Sequence, residues 1–208
     1  MSSLKLRGMI AIIKYNAGNV QSVQYALQRL GVESIVTDDE DQIRNADKVI
    51  FPGVGHAGAA MKDVRDKKLD DLILSLKQPV LGVCVGMQLM CNYSEEGDTK
   101  CIGIFKEDIK LFKPSVTAKE TRAAKVPQIG WNSIYDLKSV LFTDLKEGDF
   151  VYLVHSYYAD LGKDTVATVD YILPYSAALQ KDNFYAAQFH SEISGNVGQR
   201  IFENFLNL

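Results

Sequence analysis

From residue 9 the chain alternates short apolar runs with stretches whose apolar positions recur every three to four residues. The β-branched run at 9–14, MIAIIK, predicts a first strand. The helix expected after it places Val20, Val23, Leu27 and Leu30 on one face, with Asn19 as a candidate N-cap and Gly31 as its C-terminal stop. Further strands are expected at 32–36, 47–51 and 79–83. Helices are expected over 59–76, with Met61, Val64, Leu69, Leu72, Ile73 and Leu76 apolar, and over 85–93. Strands that are apolar throughout, alternating with helices, predict a parallel sheet covered on both faces.

Beyond about residue 100 the rhythm changes. Short strands around 102–113, 126–135, 150–159, 165–172, 176–181 and 184–190 are joined by turn residues, and K-D-N at 181–183 reads as a hairpin turn. A last helix, 196–207, carries Val197, Ile201, Phe202 and Phe205. The loosest stretches are 94–101 and 114–125, and no repeat, low-complexity tract or linker interrupts the chain. The expectation is one α/β domain over 1–208: an open, mainly parallel sheet flanked by helices, with an antiparallel or mixed extension in the C-terminal half.

Composition narrows the function classes. Of 208 residues 47% are hydrophobic and 24% charged, enough apolar mass for a sizeable core. The formal net charge is −3 with both signs interspersed, so no basic patch suggests nucleic acid. No apolar stretch approaches the roughly 20 residues of a membrane span. The N-terminus lacks a signal-peptide pattern, and three cysteines, an odd number, argue against a disulfide framework. A reducing cytoplasm is the expected compartment.

One of those cysteines sits in L-G-V-C-V-G-M-Q-L-M, residues 81–90. Free cysteines are mostly small buried hydrophobes. Here, however, Gly82 and Gly86 bracket Cys84 at a strand-to-helix junction, the G-x-nucleophile-x-G elbow with Cys in the Ser place. Such an elbow holds the nucleophile at the sheet's C-terminal edge, where open α/β sheets bind ligands. The helix N-terminus favours a thiolate, and the Val85 N–H is placed to hold an oxyanion. Cys91 and Cys101 lack this context and read as structural.

A thiolate needs a base. His190, in QFHSE, ends an apolar strand, and Glu192 two residues on would lie on the same side of an extended chain and orient the imidazole. His155, in HSYY, is the competing base without an acid at i+2, and His56 sits in a glycine-containing loop. No two histidines share metal-ligand spacing, so no metal site is expected. F-P-G-V-G at 51–55 could bring backbone N–H groups to a reacting carbonyl. It could equally be an ordinary turn, and its spacing fits neither a dinucleotide nor a phosphate-loop fingerprint.

LGVCVGMQLM, QFHSE and FPGVG together resemble the class I (triad) glutamine amidotransferases, whose fold is flavodoxin-like, and the likeness runs nearly end to end. Met87, GWN at 130–132 and HSYY at 155–158 resemble the branch that serves imidazole glycerol phosphate synthase in histidine biosynthesis. The resemblance implies a Cys84–His190–Glu192 triad hydrolysing L-glutamine without a cofactor, and an oxyanion hole from Val85 and the loop Gly53, Val54 and Gly55. Gln88, Glu96 and the backbone near His155, Ser156 and Tyr157 would recognise the substrate's amino-acid end. It also implies a heterodimer with a barrel-shaped synthase (cyclase) subunit that receives the ammonia, and low activity until that subunit is loaded. Asn19, Gln128, Trp131 and Ile193 fall at partner-facing positions. Asn19 reads alternatively as a helix cap, and Trp131 as a buried anchor.

The departures from the family pattern cluster on that side. Gln128 follows Pro127 where His is usual, and Ser191 and Ile193 stand where Pro and Lys are usual. A paralogous glutaminase feeding a different synthase, for example in surface-sugar amidation, is the alternative. A protease-like cysteine-elbow protein or a non-catalytic binding module is the third reading, and it leaves Gln88 without a purpose.

Overall fold

The computed structural model describes residues 8–16, 19–113 and 125–208. Nearly all of the loose stretch 114–125 therefore lies outside the described residues. Strands β1 (Ile10–Ile13), β2 (Ser34–Thr37), β3 (Lys48–Gly53) and β4 (Val80–Cys84) are parallel neighbours in the order β2-β1-β3-β4. Every residue of β1 and β4 is buried, which is why these strands show no polar alternation.

Helix α1 (Val20–Arg29) buries Val23 and Leu27 of the expected face, with Val20 and Leu30 partly buried, and buries Ala26 beside them. A short helix α2 (Glu40–Asn45) was not expected. Asp39 caps it by accepting from the Gln42 N–H, but only Ile43 is buried, too little to leave a period in the sequence. The helix expected over 59–76 is two helices, α3 (Ala57–Asp66) and α4 (Leu69–Ser75), separated at Lys68 in the left-handed conformation (φ 56°). The reason lies in the spacing: from Val64 to Leu69 is five residues, off the pitch of one helix, and the break returns Leu69, Leu72 and Ile73 to the core. Helix α5 (Val85–Met90) follows β4 directly.

The second half elaborates the same sheet. The stretch 94–101 contributes most of a small antiparallel pair, β5 (Tyr93–Ser94) and β6 (Thr99–Lys100). Of 102–113 only β7 (Asp108–Leu111) is strand. Strand β8 (Gln128–Ser133) pairs antiparallel with β9 (Phe150–His155) in a separate two-stranded sheet, and β10 (Tyr157–Ala159) crosses back to the main sheet. The run expected as one strand over 150–159 thus breaks at Ser156 and serves two sheets. Strands β11 (Thr165–Asp170), β12 (Pro174–Lys181) and β13 (Phe184–Ala187) complete the main sheet. Asp182 (φ 52°) turns the hairpin between β12 and β13 as K-D-N predicts. Helix α6 (Gly195–Leu206) closes the chain.

The decisive placement is that of β13. It lies parallel and adjacent to β4, so the order β2-β1-β3-β4-β13 is a five-stranded parallel core reaching from residue 10 to residue 187. The antiparallel strands β12, β10 and β7 extend it on the far side. The C-terminal ends of β3, β4 and β13 therefore stand side by side, where open α/β sheets bind ligands.

Candidate active site

Cys84 ends β4 with φ 52° and ψ −112°, a backbone conformation costing about 1–3 kcal/mol for a non-glycine residue. The strain falls on the cysteine itself. Gly82 and Gly86, expected to supply the freedom of the turn, have no positive φ; they are glycine because neighbours leave no room. A Cβ on Gly86 would lie 1.8 Å from the Phe51 carbonyl oxygen, and one on Gly82 would lie 2.5 Å from the Met90 sulfur. Gly86→Ala is expected to destabilise the protein by about 3 kcal/mol, because the obstacle is strand backbone. A lowered urea midpoint of unfolding would show it. Val85 opens α5, so its N–H has no acceptor within the helix, and the residue lines the cavity beside Cys84.

The register of β3 on β4 sets Gly53 opposite Cys84. Tyr15 donates to the Pro52 carbonyl at 2.6 Å, and burial pushes its phenol well up, so it stays a donor. Gly53 must lack a side chain here, since a Cβ would meet the Tyr15 hydroxyl at 2.4 Å and the Gly86 nitrogen at 2.9 Å. Gly55 holds φ at 105°, and Val54 and Gly55 line the cavity over Cys84. The segment 51–55 is thus built against the elbow.

His190 follows β13. Its N–H donates to the Tyr152 carbonyl at 2.9 Å, and the Ser194 hydroxyl donates to its own carbonyl at 2.7 Å. Its Nδ1 lies 2.7 Å from Glu192 Oε1, both side chains being buried. The pair does not arise from extended-chain alternation as expected: Glu192 lies in a 3₁₀ turn, Ser191–Ile193, that folds it back under the imidazole. Asn19 adds its Nδ2 as a donor to the same Glu192 oxygen and lies 3.3 Å from His190 Nδ1. Burial alone would lower the His190 pKa. Hydrogen bonds to Cys84 and Glu192 outweigh it and hold the imidazolium up to about 10. Sulfur, imidazole and carboxylate are therefore one electrostatic unit.

The competing histidines are otherwise engaged. Burial pulls His155 down to about 4, so it is neutral near pH 7. Its Nδ1 meets the Tyr157 carbonyl at 2.7 Å and its Nε2 the Tyr175 hydroxyl at 3.1 Å. His56 is exposed, and its Nδ1 accepts from the Gly58 N–H at the start of α3. Cys91 and Cys101 are buried thiols held protonated, Cys101 with a pKa pushed up to about 12 by burial.

A cavity of about 300 Å³ opens over Cys84 and His190 and is lined also by Gln88, Glu96, His155, Ser156 and Tyr157. The structure thus gathers all the expected substrate-side residues. Gln88 is buried and donates from Nε2 to the Tyr157 carbonyl at 3.2 Å. Glu96 accepts from the Ala57 N–H at 2.7 Å, which fixes its carboxylate at the rim and at the N-terminus of α3. Gln188, not singled out in the sequence, is fully buried with Nε2 3.8 Å from Cys84 Sγ. A signal for it exists: it is a lone amide in the apolar run FYAAQF, two residues before His190.

The expected partner-side residues divide. Gln128 must be corrected: it is only 3% exposed and points inward, accepting from the Tyr175 hydroxyl at 2.9 Å, so the free chain does not present it to a partner. Its neighbour in register is His155, on the covered face of the β8–β9 pair. Asn19 turns its side chain to the triad; it holds the N-cap position of α1 but makes no side-chain cap bond. Trp131 and Ile193 are outward, 55% and 47% exposed, so Trp131 is not a buried anchor. Among the described residues, no group of three His, Cys, Asp or Glu side chains could hold a metal ion, and no helix is long and apolar enough to cross a membrane.

Known proteins agree with this architecture. The profile of the glutamine amidotransferase class-I family matches residues 11–208. The imidazole glycerol phosphate synthase subunit HisH of Bacteroides fragilis is 55% identical over 199 residues, covering 96% of this chain and 99% of that one. The protein of the same name from Shewanella loihica is 43% identical over 200 residues, covering 95% and 89%. Among solved structures, a putative GMP synthase subunit from Thermoplasma acidophilum superposes with a TM-score of 0.72 at 19% identity, covering 96% of this chain and 92% of that one, a likeness of fold. With the family profile matched almost end to end, the chain belongs to the class I glutamine amidotransferase family.

Proposed function

We propose that this chain is the glutaminase subunit of an imidazole glycerol phosphate synthase. It hydrolyses L-glutamine to glutamate and ammonia and passes the ammonia to a barrel-shaped synthase subunit, which makes imidazole glycerol phosphate and AICAR. The observation that carries the chemistry is the convergence of Cys84 and His190 at one cavity from adjacent parallel strands, with Glu192 buried against His190 Nδ1. The Cys84 thiolate attacks the side-chain amide carbon of glutamine. The oxyanion that forms is held by the Val85 N–H and by the loop Gly53–Val54–Gly55. The His190 imidazolium gives its proton to the departing nitrogen, ammonia leaves, and a glutamyl thioester remains. Neutral His190 then takes a proton from water, whose oxygen attacks the thioester carbon, and glutamate leaves as the sulfur regains its electron pair. Gln88 and Glu96 suit the ammonium end of the substrate.

The pathway rests on the relatives that carry the synthase-subunit name. Support for a docked partner comes from the uncovered face of the β8–β9 pair. The registered neighbours Ile129 and Val154, and Trp131 and Tyr152, share that face, and Val154 reaches the mouth of the cavity. Ile129, Trp131, Phe150 and Val154 are exposed there. With Ile193 in place of a lysine, the contact in this chain is apolar rather than charge-anchored. Glutamate release, measured with and without the synthase subunit, tests the reading: the synthase, once loaded, is expected to stimulate it. No glutamate in either condition overturns the function, and stimulation only by a sugar-modifying synthase reassigns the pathway. Trp131→Ala is expected to weaken synthase binding about 30-fold, the effect of losing one central aromatic anchor of about 2 kcal/mol, as read by titration calorimetry.

A further inference from the structure

We propose that Gln188 is a positioning residue: its side-chain amide holds a donor against the Cys84 sulfur and ties Gln88 to the nucleophile. The role assigned to Gln88 rests on the glutaminase reading; the contact with Cys84 does not. The register that pairs Ala187 with Val83 carries Gln188 alongside Cys84 one residue later. The Gln188 N–H donates to the Ala177 carbonyl at 2.8 Å, which anchors the backbone there. The side chain is completely buried. Its Nε2 lies 3.8 Å from Cys84 Sγ, and its Oε1 lies 2.9 Å from Gln88 Nε2.

The polarity of this chain of contacts is forced. The Tyr157 carbonyl can only accept, so the Gln88 atom 3.2 Å from it must be the NH₂ group. That same NH₂ group faces Gln188, so the atom opposite must be an acceptor, Oε1. The NH₂ of Gln188 is then necessarily turned toward the sulfur. Flipping either amide would set two acceptors or two donors face to face in a buried site.

Two consequences follow for the chemistry. An N–H aimed at sulfur stabilises thiolate over thiol, and the size of sulfur suits a longer contact than oxygen makes. Both hydrogens of the Gln88 amide are committed inside the protein, one to Tyr157 and one to Gln188. What Gln88 offers the cavity is its carbonyl oxygen, an acceptor matched to an ammonium group. One buried amide thereby both supplies a donor to the nucleophile and fixes the sign of the substrate-reading group.

Gln188→Met, close in length and volume, removes the donor. Alkylation of Cys84 by iodoacetamide, followed by mass spectrometry, is expected to be about tenfold slower at pH 7 in this variant. The KM for glutamine should also rise as Gln88 is released. A folded variant alkylated at the wild-type rate overturns the inference, while glutamate release decides the glutaminase reading separately, since alkylation needs no turnover. If Gln188→Met does not fold, the wild-type protein supplies the test. The side-chain NH₂ resonances of Gln188 in a ¹⁵N-labelled sample should move when Cys84 is alkylated, and resonances that stay in place refute the contact.

Discussion

Cys84→Ala is expected to lower glutamate release by about 10⁴-fold or more, because every bond made or broken in the proposed reaction passes through the sulfur. The fold should be unaffected. The side chain is small, and Ala keeps the Cβ of an L-residue, so the positive φ at this position is no more strained than before. Isolating the loss in this way requires that the proposed oxyanion donors and substrate-side residues stay in place. They do so because they belong to other elements: the 51–55 segment is held by Tyr15 through Pro52, Gln88 by Tyr157, and Glu96 by the start of α3. Glutamine binding by the variant, measured calorimetrically, should therefore survive while hydrolysis disappears. Retained hydrolysis would remove Cys84 from the mechanism.

Glu192→Gln is expected to reduce turnover by about 10⁴-fold, the scale seen when a triad acid is made neutral without changing its shape. The carboxylate is buried against the imidazole at 2.7 Å, and Asn19 donates to the same oxygen, so the charge is held in place to stabilise an imidazolium. Replacing it by an amide leaves the volume and removes the charge. The pH dependence follows from the sign of the His190 shift. Its pKa in the folded protein, about 10, exceeds the ordinary 6.5, so the imidazolium needed to protonate the leaving nitrogen persists through neutral pH. Activity is expected to fall on the alkaline side as the pH rises through that value. The folding stability contributed by this charge is fully present below about 6.5 and lost over the same rise. In Glu192→Gln the alkaline fall should move to lower pH, because one of the two supports of the charge is gone. A pH–rate profile with its alkaline limb unmoved would show that Glu192 does not set the base.

Much of this site was legible as sequence because its signals are local. The elbow is five consecutive residues at a strand-to-helix junction, and its glycines are required by contacts with adjacent backbone that any such junction creates, even though the strain proved to sit on Cys84. His190 and Glu192 are two residues apart, so their pairing survived even though a 3₁₀ turn, not an extended strand, makes it. Residues whose role depends on distant partners were harder to read. Gln128 looks like a polar surface residue until Tyr175, 47 residues away, is found bonded to it in the interior. Asn19 looks like a helix cap because that is its local position, while the carboxylate it serves lies 173 residues away. Gln188 carried one weak local sign, an amide in an apolar strand.

By itself, then, the sequence determined the apolar strands, the helices with a clear period, the elbow and the acid–base pair, because each is specified by residues within a few positions of one another. Only the tertiary structure decided that β13 inserts beside β4, after about a hundred intervening residues of mostly antiparallel strands. Strand partners across that distance are chosen by the total burial of both faces and the match of backbone ladders, which no local pattern encodes. That single placement brings His190, Glu192 and Gln188 to Cys84 and turns separate motifs into one site.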